Sequence, residues 1–373
     1  MWGGLDGGGA VAGRGGRRPG WRSAWVAWGV RADDRVGEGR GFVMGATIRD
    51  VARVAGVSPS TVSRALADSA LVNPATVERV RRAAASLGYE PNPVARGLIT
   101  GRTGNLGLIV PDLANPFFPG VVKGMQARAR EAGYAVFVAD TDEDAGLEAR
   151  LARKLAKQVD ALVLCSPRLS DDELLALAAD VRLVLLHRRA GDVPAVTADN
   201  AGGMRHAVTH LTALGHRRIG LVAGPVSSWS NEERVAGLRA AVAGAGAELA
   251  ELGNYAPTFD GGIAAADMVL ASGVSAVVAY NDVMALGLMS RFAARGVAVP
   301  AGISVVGCDD IPQAAMSAPP LTTVAVPKEQ IGRAGVDLVL RIVDGEDPPR
   351  SGRELDTQLL VRGSTGPAVR TTD

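Results

Sequence analysis

Short apolar runs alternate regularly with amphipathic segments along residues 105–309, and this alternation limits the possible folds more than any other feature of the sequence. The runs rich in branched side chains are predicted strands: Leu106–Val110, Ala135–Val138, Ala161–Cys165, Leu183–Leu186, Ile219–Val222, Ala276–Ala279 and Ile303–Gly307. The intervening segments have helical spacing of their apolar residues, as in Val121–Ala132, Leu147–Lys157, Gly202–Leu214 and Val235–Ala245. Because parallel neighbours need a helical crossover, this alternation predicts doubly wound parallel sheets.

The length of this core, about 260 residues, suits two such subdomains. We place one at 104–199 with 325–355 and the other at 200–324 with 356–366, followed by a tail at 367–373. The predicted crossovers between them are Asp199-Asn200 and Leu321–Val324.

Polar residues gather where the predicted strands end, which is where open α/β sheets bind ligands. They are Asp112, Asn115 and Phe117 after the first strand, and Arg234, Asn281 and Asp309 after three later ones. The guanidinium, carboxylate and amide groups can exchange hydrogen bonds with hydroxyls, and the aromatic ring can cover an apolar sugar face. The pattern predicts a sugar or sugar phosphate, and the absence of a nearby lysine favours an uncharged sugar. Asn281 and Asp112 can alternatively act only as helix caps.

Residues 44–91 precede the core and carry three helix starts. Thr47 can cap a helix with Asp50 at its third position, and Gly56 suits the left-handed turn that ends it. Ser58-Pro59 and then Asn73-Pro74 each combine a capping side chain with proline at the first helical position. Helix, glycine turn, helix and supporting helix is the helix-turn-helix plan, in which the second helix enters the DNA major groove.

The local net charge favours a DNA-binding helix-turn-helix over a small helical bundle that binds no nucleic acid. Residues 44–103 contain eight arginines and four acidic residues, a local net charge of 8 − 4 = +4, although the whole chain has only +1. In the second helix Val62 and Leu66 are predicted to face the core, while Ser60, Thr61, Ser63 and Arg64 face outward. We therefore favour DNA binding.

The segment Thr47–Leu66, TIRDVARVAGVSPSTVSRAL, closely resembles the signature of the lactose/galactose-repressor family of bacterial transcription regulators. The resemblance continues through Thr76–Tyr89 and Pro91–Leu98 to about residue 366. It implies that Pro59, Ser60 and Arg64 read bases. Because Pro59 lacks a donor and Ser60 is short, direct readout depends on Arg64, paired with a guanine. The predicted DNA-binding residues are Thr47, Ser58, Pro59, Ser60, Thr61, Ser63, Arg64, Asn92, Ala95 and Leu98, with Thr61 and Ser63 assigned to phosphates.

Residues 92–103 form the predicted hinge. Asn92-Pro93 can start a helix, but a segment this short does not hold alone in water. The resemblance implies that it folds on operator DNA and wedges Leu98 into the minor groove. The alternative is that Leu98 is a linker residue resting on the core.

The resemblance also assigns effector contacts to Arg234, Asn281 and Asp309. His187 departs from the family pattern, because relatives often carry an acidic or amide ligand at that position, and Pro257 occupies a position that is frequently aromatic. We include His187 among the predicted effector-binding residues, with a plain loop or core residue as the alternative. The ligand therefore cannot be copied from the best-known members.

Other signals limit the function classes. Residues 1–43 are interpreted as a disordered leader or a mis-assigned start, and their short apolar run only faintly resembles a signal peptide. Cys165 and Cys308 lie in apolar runs, which favours a reducing compartment, and no apolar stretch reaches the ~18 residues of a membrane span. Motifs for dinucleotide, phosphate-loop, serine-hydrolase or zinc chemistry are absent, so we expect no cofactor, no metal and no enzyme activity.

Together these observations predict a cytoplasmic, sequence-specific transcription regulator, acting as a repressor. A homodimer would bind a near-palindromic operator, and a small effector between the core subdomains, a sugar, would control that affinity. The alternatives are a periplasmic-type sugar-binding protein or a sugar-acting enzyme that uses the same core.

Overall fold

The computed structural model describes residues 46–67, 72–89, 101–347 and 352–368. The chain divides into two units, Met1–Glu90 and Pro91–Asp373, which we describe separately. The predicted leader at 1–43 and the predicted hinge contacts Asn92, Ala95 and Leu98 lie outside the described residues. Within the described ranges, we find no helix with the length and apolar character needed to cross a membrane.

The first unit contains three helices, α1 (Ile48–Ala55), α2 (Pro59–Ala67) and α3 (Pro74–Ser86). The predicted capping of α1 is confirmed: Thr47 and Asp50 form a reciprocal capping box, and Gly56 ends the helix with φ 64°. Ser58 caps α2 by accepting from the Thr61 amide, and the Asn73 side chain accepts from the Ala75 amide at the start of α3. Local side chains therefore satisfy amides that a helix start leaves without partners.

A small apolar core holds these helices together. Val51, Val62 and Val80, one from each helix, are fully buried, and Leu66 packs against the same cluster. The inward-facing residues predicted for α2 are thus confirmed, and its opposite face is left for solvent or a ligand.

The second unit contains nine further helices and twelve strands among its described residues. The helices are α4 (Phe117–Glu131), α5 (Ala145–Leu155), α6 (Asp171–Asp180), α7 (Asn200–Ala213), α8 (Trp229–Gly244), α9 (Phe259–Ala271), α10 (Asp282–Ala294), α11 (Pro312–Met316) and α12 (Lys328–Val343). The strands are β1 (Asn105–Val110), β2 (Ala135–Asp140), β3 (Ala161–Cys165), β4 (Leu183–Leu186), β5 (Ala195–Ala198), β6 (Arg218–Ala223), β7 (Glu248–Asn254), β8 (Ala276–Ala279), β9 (Ser304–Asp309), β10 (Thr322–Ala325), β11 (Arg353–Leu355) and β12 (Gln358–Leu360).

These strands form two six-stranded sheets, in the orders β11-β5-β4-β3-β1-β2 and β12-β10-β9-β8-β6-β7. All neighbours are parallel except β10 and β12, so the predicted pair of doubly wound subdomains is confirmed. The strand order reverses between β1 and β3 in one sheet and between β6 and β8 in the other. Such reversals open a crevice at the carboxyl ends of the strands.

One sequence interpretation was wrong. Leu321–Val324, predicted as a crossover, contributes instead to β10, whose Thr322 and Thr323 are fully buried. Their polarity concealed the strand, because a buried hydroxyl needs a hydrogen-bond partner, and here the partners are distant in sequence. The Thr323 hydroxyl donates to Asp282 at 2.5 Å, and the Thr322 amide donates to Ser364 at 2.8 Å. The chain then passes from β10 to α12, which packs on α4 of the first sheet.

Candidate functional site

The outward face of α2 is a small polar surface. The Ser58 hydroxyl lies 2.8 Å from those of both Ser60 and Thr61, so the start of the helix presents a connected group of hydroxyls. Pro59 and Ser60 are exposed, and Thr61 and Ser63 are half-buried. Hydroxyls and amides at a helix start are suited to phosphate oxygens.

Arg64 lies on the same helix, between two buried residues that anchor the helix to the core. Val62 and Ala65 are buried, whereas Arg64 is exposed and has no ion-pair partner in the described ranges. Its planar guanidinium is therefore available for bidentate pairing. The Thr47 hydroxyl, by contrast, donates to Asp50 at 2.7 Å and is used for capping.

The second unit brings several of the predicted effector residues together at the carboxyl ends of the strands, a region that we call the cleft. From the first sheet, the rings of Phe117 and His187 pack edge to face, with centroids 5.1 Å apart. From the second, the Arg234 Nη2 lies 3.2 Å from an Asp309 carboxylate oxygen. The Ser230 hydroxyl donates to the His187 carbonyl at 3.3 Å, which joins the two sides.

Arg234 is the most highly connected side chain of the cleft. Its Nε donates to Asn200 Oδ1 at 3.0 Å and its Nη1 to the Tyr280 carbonyl at 2.6 Å, and Cζ lies 5.0 Å from the Tyr280 ring centroid. Burial raises the pKa of the paired Asp309 to about 6, with Arg234 and Lys328 acting in the opposite direction. Asp309 also has φ 121°, a backbone conformation that non-glycine residues rarely adopt. Such strained conformations are found most often at functional sites.

His187 follows β4 in a left-handed conformation, with φ 55°, and is only 2% exposed. Burial, together with the charge of Arg234, lowers its pKa to about 3, so the imidazole is neutral at neutral pH. Its Nε2 has no hydrogen-bond partner in the part of the chain that the structure describes. A buried polar atom without a partner costs about 1–3 kcal/mol.

Three predicted ligand residues already have hydrogen-bond partners within the protein. Asn281 Oδ1 accepts from the Met284 amide at 2.8 Å, while its Nδ2 donates to the Pro257 carbonyl at 3.0 Å. Asp112 accepts from the Ala114 amide, and Asn115 accepts from the Phe117 amide. Asn281 thus makes the capping contact that the sequence offered as its alternative, whereas Asp112 makes a loop contact ahead of α4, whose N-cap is Pro116. Contact of these three residues with an effector stays a prediction.

Arg168 is not among the residues predicted from the sequence. Its buried side chain donates to Glu143 through Nε at 2.5 Å and Nη2 at 2.9 Å, and through Nη1 to the Ser166 carbonyl. The hydroxyl of Tyr280, which follows the end of β8, lies 3.0 Å from that of Ser228. Because Arg168 follows the end of β3, the strand-end rule could have found it.

The expectation that no lysine lies near the cleft was wrong. Lys328 Nζ donates to the carbonyls of Asp309 at 2.5 Å and Asp310 at 2.8 Å. The lysine is 19 residues from Asp309 in sequence, and only the packing of α12 brings it there. No local sequence signal could have indicated this contact.

Comparison with known proteins identifies both units. Residues 47–92 match the family described as bacterial regulatory proteins, lacI family, and residues 208–365 match a periplasmic binding protein-like domain. The chain is 33% identical over 330 residues to the HTH-type transcriptional repressor CytR of Escherichia coli (strain K12), covering 86% of this chain and 96% of the relative. It is 39% identical over 336 residues to the HTH-type transcriptional regulator CelR of Thermobifida fusca, covering 85% and 98%.

Solved structures of transcription regulators are also similar to this chain. A complex of the transcriptional regulator CelR with cellobiose matches with TM-score 0.64 and 35% identity, covering 86% of this chain and 99% of that one. A lac repressor dimer bound to operator and the anti-inducer ONPF matches with TM-score 0.76 and 30% identity, again covering 86% and 99%.

Proposed function

Because the chain belongs to the lacI family of bacterial regulatory proteins, we propose that it represses transcription from a near-palindromic operator whose affinity a small sugar controls. The observation that carries this proposal is the exposed face of α2, where Arg64 and a group of capping hydroxyls lie on a helix fixed by the buried Val62. In the predicted binding mode Arg64 reads a base and the hydroxyls hold phosphates.

A homodimer supplies the two headpieces that a near-palindromic site requires. An exposed apolar surface on the second subdomain supports this assembly. Phe259 is 40% exposed and Met316 80% exposed, and both line a groove of about 390 Å³ together with Leu286 and Met289. Burial of such a surface against a second copy would remove apolar area from water.

The effector that best fits the cleft is an uncharged sugar. Arg234 is paired with Asp309, Arg168 with Glu143, and the Lys328 ammonium with two carbonyls, so an anionic ligand would have to compete with existing partners. Phe117 can cover an apolar sugar face, and the unpartnered Nε2 of His187 can exchange a hydrogen bond with a hydroxyl.

We further infer that the protein acts in the cytoplasm, where its operator lies, and that it is not an enzyme. The relatives named above are transcription regulators, which supports this inference. We propose the same subdomain boundaries and the same DNA- and effector-contacting residues that the sequence predicts.

Fluorescence anisotropy tests the DNA-binding part of this function. We expect the full chain to bind the palindromic duplex nearest its own gene at least about 10³-fold more tightly than a scrambled duplex. Affinity should fall linearly with salt on logarithmic axes, because binding releases counterions from phosphates. Equal weak binding to both duplexes at every salt concentration would contradict sequence-specific recognition.

A sugar panel that includes cellobiose tests the effector part, with thermal shift and isothermal calorimetry as readouts. We expect one neutral sugar to raise the Tm and to change operator affinity, and His187→Phe to weaken its binding about 10-fold through loss of one hydrogen bond. His206→Phe is the matched control, because His206 is exposed on α7 outside the cleft. Unchanged sugar affinity in H187F would remove His187 from the site.

A further inference from the structure

Lys328 joins the two subdomains next to the cleft. It is the first residue of α12, which packs against the first sheet, yet its Nζ donates to the carbonyls of Asp309, the last residue of β9 in the second sheet, and of Asp310. Asp309 and Asp310 have φ values of 121° and 54°, and their two carbonyls converge on one ammonium. The charge is thus bound to the backbone of a predicted effector residue, not to its side chain.

Close packing of α12 against α4 also holds the Lys328 backbone in place. Its stem lies against Gly120 of α4, where an added Cβ would be 3.1 Å from the Lys328 side chain. Further along, α4 and α12 approach backbone to backbone: a Cβ at Gly124 would overlap the Glu329 carbonyl, and one at Gly332 would overlap the Val121 carbonyl. Helices packed this closely cannot slide without steric clash, so α12 moves with the first subdomain.

The other end of α12 contacts the last residues of the predicted hinge. Arg102 Nη2 donates to the Val343 carbonyl at 2.9 Å and lies 3.0 Å from an Asp344 carboxylate oxygen. The amides of Thr103 and Gly104 both donate to Asp160 at 2.6 and 2.9 Å. At about 1.5 Å per residue, the 16 residues of α12 span about 24 Å between these contacts and Lys328.

We propose that Lys328 is a positioning residue that couples the cleft to the predicted hinge, residues 92–103. A ligand that contacts Arg234 or Asp309 changes the position of the Asp309 backbone. Because Lys328 is bound to the Asp309 carbonyl, α12 moves with it. The contacts of Arg102 with the other end of α12 then move the predicted hinge. The inference rests on the proposed function, because it concerns how ligand binding and operator binding are connected.

The test uses the full chain and a duplex that the wild type selects from a random pool, so that the natural operator need not be known. We expect Lys328→Met to change the Kd of this duplex about 10-fold in ligand-free protein, because allosteric couplings typically reach 5- to 150-fold. The control is Lys123→Met, which removes an exposed lysine of α4 and should stay within about 2-fold.

A double-mutant cycle with Asp344→Ala, at the opposite end of α12, examines the path. If both residues act through one connection, the double variant should change the Kd no more than the larger single change. Single effects that multiply would show two independent routes and overturn the proposal. Lys328→Arg, which retains charge and donors, should stay within about 3-fold of wild type, and circular dichroism checks that each variant is folded.

The outcomes distinguish this inference from the proposed function. If the wild type selects no duplex, the proposed function fails and the coupling role fails with it. If the wild type selects a duplex and K328M binds it like K123M, only the role of Lys328 is overturned.

Discussion

Replacing Arg234 with methionine should lower the free energy of unfolding by about 3–5 kcal/mol at pH 8, the largest stability effect that we expect from a single substitution in the cleft. The guanidinium is buried and satisfies three acceptors, namely Asn200 Oδ1, the Tyr280 carbonyl and the Asp309 carboxylate. Methionine fills similar space but leaves a buried negative charge and two buried oxygens without these donors. Urea unfolding followed by circular dichroism measures the loss.

The loss should depend on pH in a defined direction. Burial already raises the folded-state pKa of Asp309 to about 6, and removal of the Arg234 charge removes a lowering influence, so this pKa rises further in the variant. Between the unfolded-state pKa of about 4 and the raised folded-state pKa, the folded variant binds more protons than the unfolded one. Its stability therefore falls as pH rises, and the deficit relative to wild type should be smaller at pH 5 than at pH 8.

Two further variants test whether the unpaired Asp309 carboxylate causes the loss of stability. Arg234→Met combined with Asp309→Asn should recover part of the loss at pH 8, since the unpaired charge is gone. Arg239→Met, on the same helix α8, breaks an exposed bidentate pair with Glu251 and should change stability little. A deficit of equal size at pH 5 and pH 8 would show that packing, and not the buried charge, causes the destabilisation.

Arg64→Ala should weaken binding to the specific operator by about 10- to 100-fold, the range expected for loss of a bidentate contact with guanine. Binding to a scrambled duplex should fall much less, because the hydroxyls of Ser58, Ser60 and Thr61 remain on α2. Anisotropy at one fixed salt concentration measures both affinities. Arg64→Lys should restore little of the specificity, because an ammonium cannot form the same planar fork.

Arg79→Ala is the matched control for charge. Arg79 is an exposed arginine of the same unit, but it lies on the supporting helix α3. We expect R79A to affect both duplexes to a similar and smaller extent. If R64A also weakens both duplexes equally, Arg64 binds phosphate and does not read a base.

Features that depend on neighbours within a few residues could be predicted from the sequence alone. The capping box of Thr47 and Asp50, the left-handed Gly56 and the caps at Ser58 and Asn73 are contacts that each segment makes within itself. The same short-range signals, read as a signature over Thr47–Leu66, predicted the family that the comparisons confirm. The buried strands were also predictable, because strands covered on both faces are continuous apolar runs.

Contacts between groups that are distant in sequence depend on the three-dimensional packing and could not be predicted. Arg234 lies 34, 46 and 75 residues from its partners Asn200, Tyr280 and Asp309, and Lys328 reaches Asp309 only through the packing of α12 on α4. The polar strand β10 was missed for the same reason, since the partner of Thr323 is 41 residues away. Strand order and register determine these contacts, and a single sequence contains no local signal for either, because the interactions form only after the sheets assemble.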